Sequence, residues 1–155
     1  MEELDVDVVA HCLLDPLTRV KGLKGTSFRA EGPVVQLPCP EALYLGLDRW
    51  AVTRNQLDVP QFRRFCRSIA SQYADLLEML FRKGVRIRVV GVAGSPSCGI
   101  NATTRGYEGG KVREAAYEVV PGPGVFMEEL LEELKKRGVA FNTGEGEGGV
   151  IQAQE

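Results

Sequence analysis

Three of the four cysteines, Cys12, Cys39 and Cys98, each follow directly after a short apolar segment of the chain. Thiolates are soft ligands for zinc, iron and iron–sulfur clusters, so three cysteines in equivalent positions indicate a shared metal centre. Three ligands of one type suit either a zinc ion with an external fourth ligand or a 4Fe-4S cluster with one open iron. Taken singly, each cysteine is also explained as a small buried residue with an inert thiol.

The apolar segments before these cysteines are typical of β-strands. We expect strands over residues 5–11, 32–38 and 85–92, and a shorter one over 139–142. A long helix is predicted over residues 60–83, with Asp58 as N-cap and Gly84 at its end, and a second helix over 124–137. This alternation predicts an α/β fold, Rossmann-like or flavodoxin-like, with an open, mostly parallel sheet and flanking helices.

The expected fold brings distant cysteines together. The loops at the carboxyl ends of parallel strands share one edge of a sheet, where ligands bind, so Cys12, Cys39 and Cys98 can converge. Cys66 instead lies on the apolar stripe of the long helix and is expected in the core. His11 is a fourth-ligand candidate only if its strand has already ended, because neighbouring strand residues face opposite ways; otherwise it is a neighbour or a core residue.

Composition limits the class of protein. With 155 residues and a net charge of −2, the chain is expected to be one domain with no overall attraction to nucleic acid or to a membrane. The acidic N-terminus does not resemble a signal peptide, which predicts a cytoplasmic protein. We expect residues 1–143 to form a single domain and the Gly- and Glu-rich residues 144–155 to form a flexible tail. The composition leaves the oligomeric state open.

Three motifs carry a resemblance to a known family. HCLLD at residues 11–15, LPCPE at 37–41 and GSPSCG at 94–99 resemble the signatures of the DUF523 family, whose characterised members are 2-thiouracil desulfurases. The resemblance extends from about Val6 to Phe141. It is strongest to a short archaeal-type branch, in which LDRWAVTRNQLDVP replaces the Gly- and Pro-rich segment that usually follows CPE.

The resemblance implies a 4Fe-4S cluster held by Cys12, Cys39 and Cys98, with an open iron that takes sulfur from a thiolated pyrimidine. It further implies that Glu41 is the catalytic acid and Ser95 the catalytic serine. Glu41, two residues from a ligand, is placed to move protons, although it also suits the start of a helix. Ser95 can hydrogen-bond the substrate or a cluster sulfide, although it is also a typical turn residue before Pro96.

Two polar segments are candidates for contacting the substrate. The first is a loop that can meet a base edge, containing Asn101, Thr103, Thr104, Gly106, Tyr107, Gly109 and Gly110. The second can contact a pyrimidine or an RNA phosphate and contains Arg49, Trp50, Arg54 and Asn55. Both segments are also consistent with ordinary solvent-exposed surface. The expected partner is a small thiolated base or a thiolated tRNA. Binding to a membrane is not expected.

Three functions agree with these features. The first is a 4Fe-4S-dependent thiopyrimidine desulfurase that cleaves the C–S bond without redox chemistry. The second is a non-enzymatic zinc or iron–sulfur module, or a sulfur carrier, stabilised by the same three cysteines. The third, a thiol enzyme with Cys98 as nucleophile, is disfavoured because the chain has no CxxC motif and a single histidine.

Overall fold

A four-stranded parallel sheet forms the centre of the computed structural model, which describes residues 4–15, 17, 32–49, 52–105 and 118–146. The strand order is β2-β1-β3-β6, and all three neighbouring pairs are parallel. The strands are β1 (Asp5–Val9), β2 (Val34–Gln36), β3 (Arg86–Val92), β4 (Ala102–Arg105), β5 (Glu118–Pro121) and β6 (Asn142–Gly146). The helices are α1 (His11–Leu14), α2 (Pro40–Leu45), α3 (Arg54–Leu57), α4 (Pro60–Arg82) and α5 (Val125–Lys136).

The order of the sheet strands confirms the predicted fold class. The chain passes from β1 to β2 on one side and then crosses to β3 on the other side of β1, as in flavodoxin-like proteins. Strands β2 and β3 therefore lie on opposite sides of β1, and the order of the strands changes direction between β1 and β3. Ligands of such sheets bind beside the carboxyl ends of the strands at this switch point.

Alternate residues of β1 and β3 face opposite sides of the sheet. Val8 and Val89 are fully buried in the same apolar cluster as residues of α4 and α5. Asp7 lies opposite Arg88 in the ladder and forms an ion pair with it at 2.9 Å, and Asp5 pairs with Arg86 in the same way. Burial of the apolar residues fixes the strand register, since a shift by one residue would bury the charges instead.

Helix α4 follows the prediction except at its first residue. Val59, not Asp58, occupies the N-cap, and Pro60 is the first helical residue. Asp58 ends α3 and accepts a hydrogen bond from the Arg63 guanidinium at 2.8 Å. The predicted Asp58 cap is therefore wrong, because its carboxylate accepts a charge-assisted hydrogen bond from the Arg63 guanidinium and Val59 occupies the N-cap. Gly84 does adopt the left-handed conformation expected after the helix, with φ +89°.

The fourth strand lies further along the chain than predicted. Val139 is buried, but the backbone pairing with β3 begins at Asn142 and continues to Gly146, within the segment that we expected to be a loose tail. Glycine and glutamate have low strand propensity, and pairing with a central strand overrides it here. Residues 147–155 lie outside the described residues.

The segment predicted as a polar loop after Cys98 contains a strand. Ala102–Arg105 pairs with Glu118–Pro121 in an antiparallel ribbon separate from the main sheet. Thr103 and Thr104 are buried within it, whereas Gly106, Tyr107, Gly109 and Gly110 lie outside the described residues.

No helix among the described residues is long and apolar enough to cross a membrane.

Candidate functional site

The three strand-end cysteines lie at one edge of the sheet. Cys12 is in α1, directly after β1, Cys39 is the N-cap of α2, after β2, and Cys98 is in the loop after β3. Since β2, β1 and β3 are adjacent and parallel, all three loops leave the same edge. Cys39 and Cys98 are buried and Cys12 is half-buried.

The three thiols are close enough to influence one another's ionisation. Burial raises the pKa of Cys98 well above its ordinary value, and the charges of Cys39 and Cys12 raise it further. Burial also raises the pKa of Cys39. The Ala42 N–H donates a hydrogen bond to Cys39 Sγ at 3.3 Å, which lowers this pKa by less than burial raises it. Three thiolates at this edge are therefore unfavourable without a cation among them, and thiolates are donors that suit zinc as well as iron.

Within the described part of the chain, no three His, Cys, Asp or Glu side chains are arranged to hold a single metal ion.

Glu41 is a buried carboxyl group beside the cysteines. It lies in the first turn of α2 and is 5% exposed. Arg49 Nε forms an ion pair with Glu41 Oε1 at 3.4 Å, and Arg49 Nη1 donates to the Gly46 carbonyl. Burial raises the pKa of Glu41, while Arg49 and Ser97 oppose this increase. A carboxyl group with these properties is suited to exchanging a proton with a substrate.

Ser97 connects Glu41 to Cys98, a contact that the sequence analysis missed. Its buried hydroxyl lies 3.4 Å from Glu41 Oε2 and 3.6 Å from Cys98 Sγ. A hydroxyl carries one proton, so Ser97 donates to one of these groups at a time. The only signal in the sequence was its position next to Cys98 in GSPSCG.

Ser95 holds the loop that carries Cys98. Its Oγ accepts the backbone N–H of Cys98 at 3.0 Å and that of Ser97 at 3.3 Å. Its carbonyl accepts hydrogen bonds from the Thr103 hydroxyl and the Gly99 N–H. These contacts match the turn interpretation of Ser95. Its predicted catalytic role stays a prediction.

The start of α5 closes the same loop from the other side. Gly124, Val125 and Met127 donate their backbone N–H groups to the carbonyls of Gly99, Pro96 and Ser97, respectively. The first N–H groups of a helix have no partner within the helix, and here the cysteine loop satisfies them.

The contacts of His11 and Cys66 differ from those of the three strand-end cysteines. The His11 ring lies between Gln36, whose amide is 2.8 Å from Nδ1, and Asp15, whose carboxylate is 3.2 Å from Nε2. With both ring nitrogens engaged by protein groups, this arrangement does not provide a metal ligand. Cys66 is fully buried in the core, as predicted, and burial raises its pKa to about 12.

Two residues from each of the polar segments predicted to contact a substrate line the same cleft. Arg54 and Asn55, at the start of α3, line a cleft of about 310 Å³ together with Thr103 and Thr104 of β4. Arg49 is instead buried against Glu41. Trp50 lies outside the described residues.

Comparison with known proteins identifies one relative of undescribed activity. The chain is 24% identical over 145 residues to the uncharacterized protein MJ0003 of Methanocaldococcus jannaschii, an alignment that covers 84% of this chain and 78% of the relative. No protein-family model and no solved structure matches the chain. The chain is therefore similar to an archaeal protein over most of its length.

Proposed function

We propose that this protein is a cytoplasmic 4Fe-4S-dependent desulfurase that replaces the sulfur of a thiolated pyrimidine by oxygen. The observation that carries the proposal is the convergence of three cysteines beside the buried Glu41 at the switch point of the sheet. The resemblance of the motifs around these residues to the DUF523 desulfurases supports the same chemistry. In the net reaction water and a thiocarbonyl give a carbonyl and hydrogen sulfide, so no electron donor is needed.

Cys12, Cys39 and Cys98 would hold the cluster. When bound, it supplies an open iron, a soft Lewis acid that attracts a thiocarbonyl sulfur. Solvent access to this edge is limited, because Cys39, Glu41 and Cys98 are all buried. Low solvation strengthens the electrostatic interactions of groups that remain there.

Glu41 is the group in this proposal that moves protons. Its carboxylate takes a proton from the attacking water and returns one to the departing sulfur. Ser97 restricts the rotation of the carboxylate through Oε2, while Arg49 lies against Oε1. Both contacts hold the carboxylate in one orientation beside the Cys98 loop.

Metal binding is tested first, by anaerobic reconstitution of the purified chain with iron and sulfide. We expect about four irons per chain and the broad visible absorption of a 4Fe-4S cluster. Cys12→Ala, Cys39→Ala and Cys98→Ala should each lose most of the iron. Cys66→Ala is the matched control, since it removes a buried core thiol of α4, and should retain the iron. If Cys12→Ala binds iron as well as the unchanged protein does, the cluster assignment fails.

Glu41→Gln then separates an enzyme from a metal-stabilised module. The variant should keep its iron and lose sulfide release from 2-thiouracil by about 10²- to 10⁴-fold, the usual contribution of a general acid–base residue. Equal sulfide release by the variant and the unchanged protein would exclude the role of Glu41. A stable cluster with no release from any thiolated pyrimidine would favour a non-enzymatic module.

A further inference from the structure

The segment that carries Cys12 is a single turn of helix. Helix α1 spans four residues, His11–Leu14, and its N-cap Ala10 provides no side-chain hydrogen bond. One turn of helix has little stability by itself, because few hydrogen bonds follow the unfavourable nucleation step. Leu13 is buried in the core and anchors one side of the turn. The position of the half-buried Cys12 therefore depends on the contacts that its neighbours make.

His11 joins this turn to the neighbouring strand. Val9 and Gln36 form the last pair of the β1–β2 ladder, and the Leu37 N–H then donates to the Val9 carbonyl. Two positions after Val9, His11 Nδ1 lies 2.8 Å from Gln36 Nε2. This side-chain contact continues the connection between β1 and β2 past the end of the ladder. Because Cys39 follows Gln36 by three positions, the contact lies between the segments that carry two of the three cysteines.

The partners of His11 define which ring nitrogen carries the proton. Asp15 Oδ2 lies 3.2 Å from Nε2, and a carboxylate only accepts hydrogen bonds, so Nε2 donates. Gln36 donates its amide N–H, so Nδ1 accepts. The ring is therefore the Nε2–H tautomer, and both of its nitrogens are bonded within the protein. Asp15 Oδ1 also accepts the Leu17 N–H and so connects the ring to the chain after the turn.

The other two cysteines are held by hydrogen bonds of their own. Cys39 Sγ accepts the Ala42 N–H, and the Cys98 N–H donates to Ser95 Oγ. The His11–Gln36 contact is the corresponding link for the turn that carries Cys12.

We propose that His11 is a positioning residue that sets the place of Cys12 relative to Cys39 through its bonds to Gln36 and Asp15. The inference deepens the proposed function and rests on it for the identity of the group that the cysteines bind. Residues that orient metal ligands contribute to metal affinity without contacting the metal. The histidine that was a candidate fourth ligand in the sequence thus acts on the site through the adjacent cysteine.

The first test needs no iron. His11 is the single histidine of the chain, so a long-range ¹H–¹⁵N NMR spectrum of the full-length protein reports its ring alone. In mildly alkaline, reducing buffer we expect a protonated Nε2 and an unprotonated Nδ1. A protonated Nδ1 would overturn the proposal, because it excludes a hydrogen bond donated by Gln36.

Amide hydrogen exchange in the same iron-free protein measures how firmly the turn is held. His11→Leu and Gln36→Leu should speed exchange of the Asp15 N–H, which donates to the His11 carbonyl, by about three- to tenfold. His11→Gln should restore slow exchange, because an amide also offers one acceptor and a donor. Gln72→Leu, at an exposed glutamine of α4, is the matched control and should exchange normally. The melting temperature of His11→Leu should fall by only about 1–3 °C, since the His11–Asp15 pair is partly exposed.

The same variants are then reconstituted with iron and sulfide. Iron loss to a chelator should be about 10- to 100-fold faster from His11→Leu and Gln36→Leu than from the unchanged protein, the usual effect of removing a residue that orients a metal ligand. His11→Gln and Gln72→Leu should lose iron at nearly the normal rate. Normal iron retention in His11→Leu, or equally fast loss from His11→Gln, would overturn the proposal.

Failure of this proposal can be told apart from failure of the desulfurase function. The tautomer and the exchange rates are measured without iron and do not depend on the cluster. The expected tautomer and exchange rates in a chain that takes up no iron would reject the desulfurase and support the placing of Cys12 by His11. Normal iron retention in His11→Leu, in a protein that releases sulfide from 2-thiouracil, would reject the role of His11 alone.

Discussion

Ser95 and Ser97 lie two positions apart and have different contacts. Ser95 accepts backbone N–H groups and so shapes the loop, whereas the Ser97 hydroxyl lies between Glu41 and Cys98. Both residues flank Pro96, and residue type alone gives no reason to prefer one of them as the reactive serine.

Replacing each serine by alanine separates the two roles. Ser95→Ala leaves two N–H groups of the loop without an acceptor and should destabilise the fold by about 1–3 kcal/mol. It should also speed the loss of iron from the reconstituted protein to a chelator. Ser97→Ala should retain iron at nearly the normal rate and release sulfide more slowly. Ser68→Ala, an exposed serine of α4, is the control. Equally fast iron loss from both loop variants would contradict this division.

The sequence predicted the placement of the three cysteines at the strand ends better than it predicted the contacts around them. Cys12, Cys39 and Cys98 were recognisable because each follows an apolar strand. The Glu41–Arg49 ion pair was not recognisable, because the two residues lie eight positions apart and no regular sequence pattern links them. Contacts of this kind depend on how a loop folds back, which local sequence patterns do not describe.

At the level of elements, the loop after β3 is closely packed against its neighbours. A β-carbon added to Gly99 would lie 2.1 Å from the Ala102 carbonyl oxygen and 2.8 Å from that of Ser95. Both atoms belong to the backbone, so the loop would have to move to accept a side chain. The close approach of Gly99 to the Ala102 carbonyl thus packs the loop tightly against the start of β4.

Gly99→Ala tests whether this packing positions Cys98. We expect it to destabilise the protein by about 1–3 kcal/mol, the usual cost of overpacking, and to reduce iron binding strongly. Gly144→Ala is the matched control, since a β-carbon there meets no atom within 4 Å. Thermal denaturation and the iron content after reconstitution measure both effects. Normal iron content in Gly99→Ala would show that the loop adjusts without displacing Cys98.

Elements with strong periodicity were predicted well, and those stabilised by pairing were not. Helix α4 begins at Pro60 and ends at Arg82, within one residue of the expected range. The ribbon of β4 and β5 was missed, because its strands, ATTR and EVVP, are short and do not alternate between apolar and polar residues. Strand β6 lies further along the chain than predicted, because its residues have little preference for strand structure.

At the level of the whole molecule, a network of ion pairs joins α3, α4 and α5. Arg63 of α4 contacts Asp58 at the end of α3 and both Glu128 and Glu129 of α5. Hydrogen bonding from Arg63 lowers the pKa of Asp58 below its ordinary value. The fold class itself was predictable, because alternating strands and helices leave few other arrangements.

The lowered pKa of Asp58 predicts how stability depends on pH. A carboxyl group with a depressed pKa in the folded state stabilises the fold above its unfolded value, about pH 4. This stabilisation is lost as the pH falls through the folded pKa. Asp58→Asn should therefore lower the melting temperature at pH 7, and the difference from the unchanged protein should shrink towards pH 3.

The matched control for this measurement is Glu132→Gln, which removes an exposed carboxylate of α5 outside the network. Its difference from the unchanged protein should be smaller at pH 7. Because Asp58 is itself 39% exposed, solvent screening keeps the effect modest. An Asp58→Asn difference that stays constant from pH 7 to pH 3 would contradict the coupling to Arg63.

The hydrogen bonds between the start of α5 and the Cys98 loop have a consequence for biogenesis. Three carbonyls of the loop need the N–H groups of Gly124, Val125 and Met127. During translation, at about 5–20 residues per second, the loop waits on the order of seconds for these partners to be synthesised. The cysteine edge is thus completed only after the start of α5 has been synthesised.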